Sequence, residues 1–158
     1  AREAGQCMGE ALPELRDIMH KIKETYDVHK SNVGVGSTIF AVKPGDGSAR
    51  EQAASCQKVL GGWANIANEY ATKRYRSNLI NWGMLPFIID KGELPFENGD
   101  YIFIPEIQDA IKNKVSTIKA FVVNKDMKEF ELKLDELTDD ERQIILDGCL
   151  INYYRENK

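Results

Sequence analysis

The stretch Thr38-Ile39-Phe40-Ala41-Val42-Lys43-Pro44-Gly45-Asp46-Gly47-Ser48-Ala49-Arg50-Glu51 decides the fold. Its first five residues form a nearly continuous apolar run rich in strand formers, and Lys43 to Gly47 end that run with turn residues. The pattern predicts a buried strand entering a tight loop. Ser48-Ala49-Arg50-Glu51 then fits the S-x-x-E capping box. In that motif the serine side chain accepts from an orphan backbone N–H, and the glutamate three residues on accepts from the serine amide. A helix is therefore expected from Ser48, with Ala49, Ala53, Cys56 and Leu60 as a stripe of mostly small residues against a sheet, ended by Gly61-Gly62. On that stripe Cys56 reads as a core thiol.

Outward from this unit, Trp63 to Ala67 reads as a second short strand and Tyr70 to Trp82 as a helix stopped by Gly83 and Pro86. Strand, glycine loop, helix, strand, helix is the pattern of a parallel sheet with crossover helices, so the middle of the chain reads α/β. Upstream, Leu15, Ile18, Met19, Ile22 and Tyr26 keep one helical face after Pro13, which predicts a helix over about 12–27. Downstream the pattern turns antiparallel: a strand at Tyr101 to Ile104, a short helix at Pro105 to Asn113, and a hairpin of Ile118 to Val123 with Phe130 to Leu134. Thr138-Asp139-Asp140-Glu141 is a second capping box, opening a helix to about Tyr154.

The bulk properties bound the function. With 158 residues, 42% of them hydrophobic, the chain builds one substantial core, and residues 1–158 are read as a single domain. A formal charge of -4 argues against nucleic acid or an anionic membrane as the main partner. Cys7, Cys56 and Cys149 lie far apart, with only His20 and His29 beside them in the composition, so no zinc site or disulfide framework is indicated and a reducing, cytoplasmic compartment is expected. No apolar run approaches the roughly 18 residues of a membrane span, and no secretory leader is visible. The opening Ala1-Arg2-Glu3 has no initiator methionine and reads as the start of an excised fragment or a tag remnant. His20 and His29 read as solvent-facing, Trp63 and Trp82 as packing residues, and Arg74 and Arg76 as a solvated helix face.

Chemistry is expected at the loop from Lys43 to Ser48, which joins the end of a strand to the start of a helix, the usual ligand position of open α/β sheets. Arg50 sits in a first turn that disfavours cations, so it is expected to want an anionic partner. The bland reading stands beside this one: Ser48 only caps, Arg50 only pairs with a nearby acid, and Gly45 and Gly47 only make the turn. Neither a Walker A loop nor G-x-G-x-x-G is present.

Gly45-Asp46-Gly47-Ser48-Ala49-Arg50-Glu51-Gln52-Ala53-Ala54, Leu60-Gly61-Gly62, Ser77-Asn78-Leu79 and Gly83-Met84-Leu85-Pro86 follow one another in the order and near-spacing of the blocks G-x-G-S-S-R-E-H-A-A, L-G-G, T/S-N-L and G-x-L-P. Over about residues 37–105, and again from Leu137 to Arg155, the chain resembles the C-terminal swivel domain of aconitase-type hydro-lyases. The resemblance implies a layered, swivelling β/β/α-type domain with a mixed central sheet flanked by helices. It implies that Ser48 is the base that moves the proton next to a substrate carboxylate, that Arg50 binds that carboxylate, and that Gly47 and Ala49 are further substrate-contact positions. It also implies a hydroxy di- or tricarboxylic acid as substrate and a 4Fe-4S cluster whose ligands lie outside this chain, on the remaining domains of the same protein or on a large subunit. The isolated chain is then expected to be inactive. Two alternatives stay open: the small subunit of an isopropylmalate-isomerase-type heteromer, and a non-enzymatic anion-binding regulatory module.

The sequence departs from the family pattern in ways that bear on substrate. Ala49 replaces a second serine and Gln52 a histidine, the T-D-H segment with its upstream acid and arginine is missing, and Asn68 to Ser77 is about one residue long against the pattern. Citrate is therefore not assumed.

Overall fold

In chain order the elements are α1 (Glu14–Thr25), β1 (Ser37–Ala41), α2 (Arg50–Val59), β2 (Gly62–Ala67), α3 (Lys73–Asn81), β3 (Leu85–Ile88), β4 (Ile102–Phe103), α4 (Ile107–Lys112), β5 (Thr117–Val122), β6 (Lys128–Leu134), α5 (Asp139–Leu146) and α6 (Leu150–Glu156). The structure is a computed structural model and describes residues 14–29 and 32–156. The strands are hydrogen-bonded in the order β1-β2-β3-β6-β5-β4, which makes a mixed sheet with helices, as expected. The chain packs as two compact units. The larger is made of 36–92, 106–118 and the chain from 131 onward; the smaller has 93–105 and 119–130 with the segment up to Val35.

In the larger unit β1, β2 and β3 run parallel, with Thr38 opposite Ala64 and Ala64 opposite Leu85, while β3 meets β6 antiparallel at Phe87↔Leu134. The α2 and α3 crossovers that the sequence predicts are what permit the parallel pairings. β2 is buried from Ala64 to Ala67, and Ile66, Leu79, Ile80, Met84, Phe87, Ile111 and Leu132 are among the fully buried side chains. α3 ends as its glycine predicts. Gly83 takes φ 68°, its N–H donates to the Ile80 carbonyl at 2.7 Å, and the Met84 N–H donates to the Leu79 carbonyl at 2.9 Å, a Schellman motif.

Four readings are corrected. β1 is not a buried strand: it stands at the sheet edge with one strand neighbour, and Ile39 remains 48% exposed. α2 turns a different face inward, burying Ala54 and Gln57, while Ala53, Cys56 and Leu60 are exposed, so Cys56 is not a core thiol. The cause is polar. The Gln57 amide donates to the Ala64 carbonyl at 3.2 Å and to Asn65 Oδ1, and Asn65 Nδ2 donates to the Tyr75 hydroxyl at 3.0 Å. A buried asparagine needs such partners, and meeting that need fixes the rotation of the helix. The single helix expected to Tyr154 is two, broken where Gly148 takes φ 89°. Trp63 is half exposed, its ring lying over Gly36 and near Lys58 Nζ, 5.8 Å from the ring centre.

In the smaller unit α1 buries Leu15 and Ile22, and β4 pairs antiparallel with β5. Tyr26 packs edge-on to Phe103 with ring centres 5.2 Å apart, and the Tyr101 hydroxyl donates to Glu14 at 3.2 Å. Asp100 closes the turn before β4 by accepting from the Glu97 N–H at 2.7 Å, from Asn124 at 2.7 Å and from Lys125 at 3.0 Å. Those bonds, the Glu97 N–H first, hold its carboxyl below the ordinary aspartate value. His20 and His29 are exposed, as read from sequence. Among the described residues no helix is long and apolar enough to cross a membrane.

Candidate active site

Between β1 and α2 the chain makes the loop 42–49, and the segment 69–72 fixes it in place. The Glu69 N–H donates to the Val42 carbonyl at 3.1 Å and the Ala71 N–H to the Pro44 carbonyl at 2.9 Å. The Gly45 carbonyl accepts twice, from Arg50 Nε at 3.0 Å and from Thr72 Oγ1 at 3.2 Å. Gly45 itself has φ +97°, and a Cβ there would stand 2.5 Å from Tyr75 Cβ, so backbone and packing both require glycine. On the outer side Lys43 pairs with Glu69 at 2.7 Å. Their hydrogen bond, more than the charges alone, lowers the Glu69 pKa and raises that of Lys43.

The capping box expected at Ser48 does not form. Ala49 is the N-cap of α2, and no side chain caps it. Glu51, which would complete the box, instead accepts from the indole N–H of Trp82 at 3.2 Å. Ser48 is exposed, and its hydroxyl has no hydrogen-bond partner among the described residues. Arg50 is half-buried and forms no ion pair among the described residues. Its guanidinium braces the loop it follows, through Gly45 and through a second bond from Nη2 to the Asp46 carbonyl at 3.4 Å. Nothing in the sequence signals that bracing, and it orients the arginine beside Ser48.

An open pocket of about 390 Å³ lies there, lined by Ser48, Arg50, Glu51, Lys73, Arg74, Ser77 and Asn78. Every lining side chain is polar or charged. Ser48 and Arg50 of the four expected site residues line it. Gly47 and Ala49 are exposed beside it and do not, and a Cβ on Gly47 would meet nothing within 4 Å. Ser77 and Asn78 arrive from one of the four sequence blocks, carried on α3. Arg74 is exposed, as its reading as a solvated helix face expects, and it also borders the pocket. Arg76 reads the same way and is half-buried elsewhere: Nη2 donates to the Glu136 carbonyl at 3.1 Å, and Nη1 meets Glu141 at 3.6 Å. Lys73 gives no signal in sequence beyond its charge.

α3 is aimed at the loop by its own cap. Thr72 Oγ1 accepts from the Tyr75 N–H at 3.2 Å while donating to Gly45, so one hydroxyl starts the helix and holds the loop. Burial raises the pKa of Tyr75 and raises that of Tyr70 far above the ordinary tyrosine value, so both phenols remain neutral, Tyr75 accepting from Asn65. The Tyr70 hydroxyl donates to the Phe87 carbonyl at 3.0 Å.

The profile of the aconitase C-terminal domain matches residues 14–92, half of the chain, across this loop and both helices. The chain belongs to the aconitase C-terminal domain family. Aconitate hydratase A of Rickettsia bellii is 30% identical over 156 residues, covering 94% of this chain and 17% of that protein. The methanogen homoaconitase small subunit of Methanocaldococcus jannaschii is 35% identical over 116 residues, 72% of this chain and 58% of that subunit. Among solved structures, a 3-isopropylmalate dehydratase of Methanocaldococcus jannaschii superposes with a TM-score of 0.59 at 29% identity, covering 84% of this chain and 71% of that one. The aconitase C-terminal domain seen here thus spans about a sixth of one curated relative and somewhat more than half of the other. The relatives named as hydratase and dehydratase are hydro-lyases.

Iron-sulfur clusters are held by cysteine thiolates. Among the described residues no three His, Cys, Asp or Glu side chains gather to hold a metal; Cys56 is exposed on α2 and Cys149 lies between α5 and α6, while Cys7 lies outside those residues. The described residues therefore do not form a site that fits a cluster.

Proposed function

We propose that this domain provides an aconitase-type hydro-lyase with its base, Ser48, and with a carboxylate-binding arginine, Arg50. The observation that carries the proposal is a serine hydroxyl without a partner among the described residues, at the uncapped start of a ten-residue helix, on a pocket it shares with an arginine. In dehydration the base takes the proton from the carbon next to a substrate carboxylate as hydroxide leaves the adjacent carbon; hydration returns both. A free serine hydroxyl is too weak a base for this step, so its deprotonated form needs stabilisation. The start of α2 supplies backbone N–H donors and a positive dipole end, contributing about 0.3–2 kcal/mol. Arg50 adds a nearby positive charge, and with one donor on Nε and one on Nη2 engaged by loop carbonyls, both N–H groups of Nη1 and the second of Nη2 are left to meet the substrate.

Departure of hydroxide is assigned to polypeptide outside this domain, where we place the 4Fe-4S cluster and its cysteines. The remainder of the enzyme is read first as further domains of one chain, in keeping with the match inside aconitate hydratase A. The second reading is a separate large subunit, which the match to a homoaconitase small subunit favours. A reading frame continuing upstream of Ala1 into cysteine-bearing sequence supports the first; copurification with a separately encoded large chain supports the second.

The test is Ser48→Ala in the complete enzyme reconstituted with iron and sulfide. Activity should fall by a factor on the order of 10²–10⁴, the usual contribution of a positioned base. Full activity in that variant would refute the assignment.

A further inference from the structure

We propose that Thr72 is a positioning residue for Arg50. Its hydroxyl fixes the Gly45 carbonyl that anchors the guanidinium, and so sets where Arg50 presents its free N–H groups to a carboxylate. The proposal rests on the functional reading of Arg50 above and deepens it. Thr72 lies in the stretch from Asn68 to Ser77 that departs from the family blocks, so no motif assigns it a role.

One oxygen is the junction. The Gly45 carbonyl accepts from Arg50 Nε at 3.0 Å and from Thr72 Oγ1 at 3.2 Å, which occupies both of its lone pairs. A carbonyl held from two sides cannot turn its peptide plane without breaking a bond, so the arginine bound to it inherits a fixed direction. Other restraints on the guanidinium are weaker. The bond from Nη2 to the Asp46 carbonyl is long at 3.4 Å, and a Cβ on Gly47 would meet open space, so packing does not hold that part of the loop. Thr72 is itself anchored. It accepts from the Tyr75 N–H at 3.2 Å, and the buried Tyr75 accepts in turn from Asn65 Nδ2 of β2 at 3.0 Å. The bonds from the Tyr75 N–H through Thr72 to Gly45 run head to tail, an order in which each polarises the next. Arg50 is thereby referred to α3 and the sheet as well as to its own helix. Starting α3 requires only an acceptor at Thr72. The bond donated to Gly45 is the part that capping does not need.

Magnetic resonance of the isotope-labelled 158-residue chain tests this at the Arg50 Nε–H, a signal identified by its loss in Arg50→Lys, with succinate as the probe carboxylate. Thr72→Val keeps the side-chain shape and suits the extended backbone there, φ −142° and ψ 145°, while removing both bonds of the hydroxyl. In that variant the Arg50 Nε–H should exchange faster with water and succinate should bind more weakly, each by roughly two- to tenfold, the scale of one hydrogen bond. Thr72→Ser still accepts and donates, and should restore both readings. Thr138→Ala removes a cap of the same kind from α5 and should move neither, which separates positioning from the general loss of a cap. One cap is a small part of a domain's stability, so the variants fold, as their amide spectra verify. Thr72→Val leaving either reading unchanged, a loss that Thr72→Ser does not restore, or an equal loss in Thr138→Ala each overturns the proposal. Arg50→Gln separates this from failure of the underlying reading. If it weakens succinate while Thr72→Val changes nothing, the positioning role falls and the site stands. If it leaves succinate binding as it was, or the unaltered chain binds none, the carboxylate reading of Arg50 falls and the role of Thr72 with it.

Discussion

Two helices of this domain begin with the same signature, a hydroxyl residue followed three places later by glutamate, and they use it in opposite ways. At Thr138 the motif closes on itself: Thr138 Oγ1 accepts from the Glu141 N–H at 3.2 Å, and the Thr138 N–H donates to Glu141 at 2.9 Å. At Ser48 it stays open. The helix starts one residue later, Glu51 is drawn to Trp82, and Arg50 is drawn back onto the loop. Capping is a local solution, available wherever nothing competes for the side chains. Where longer-range partners take the glutamate and the loop carbonyls, the hydroxyl is left without a structural duty and is free to face a substrate.

The sharpest way to break this contrast is to remove each hydroxyl in turn. Ser48→Ala should abolish most of the activity of the complete enzyme, by the factor given above, and leave denaturation midpoints nearly unchanged, within about 0.5 kcal/mol, because it removes no cap. A large stability loss in that variant would show that Ser48 is a cap after all. Gly45→Ala attacks the frame that keeps the second motif open. A left-handed non-glycine residue costs about 1–2 kcal/mol, and the clash with Tyr75 adds an overpacking penalty of about 1–3 kcal/mol. Urea denaturation should show a loss of that combined size, with activity falling alongside.

Thr138→Ala should cost about 1 kcal/mol in the same assay, the usual value of an N-cap, and leave kcat and KM as they were. The smallest effect is expected from the exposed pair that ties the loop to residue 69. Glu69 has a depressed pKa, so its contribution is present above the ordinary glutamate value near 4.5 and disappears as pH falls through the lower folded value. Lys43→Met should remove that part of the acid dependence, seen as a shallower loss of stability below about pH 4.5 in low salt, with little change at pH 7.

Much of the frame is legible in the sequence because its signals are local. Strand formers followed by Gly45 and Gly47, the glycine stop at Gly83 and the box at Thr138 each depend on neighbours a few residues away, and each predicts an element close to its observed bounds. Gly148 is an equally local signal, since a glycine inside a helical pattern marks a stop, and a single helix to Tyr154 ignores it. The misreadings concern partners far along the chain. The sequence pattern assigns α2 the wrong face because small and apolar residues on one stripe outweigh Gln57, whose partner Asn65 becomes visible only once β2 lies beneath it. Arg76 looks solvated in sequence because Glu136 and Glu141 lie 60 and 65 residues away. The pocket follows the same rule: Ser48 and Arg50 stand out by their motif, whereas Lys73 and Arg74 become its wall only through the packing of α3 beside α2.

The chain of Gln57, Asn65 and Tyr75 has a mechanical consequence. Amide, amide and phenol couple both walls of the pocket to one central strand, so neither helix can slide along the sheet without breaking a buried link. Heat or denaturant should then release the two walls in a single event, and the spacing between the serine and the cations of α3 is held constant until that event occurs.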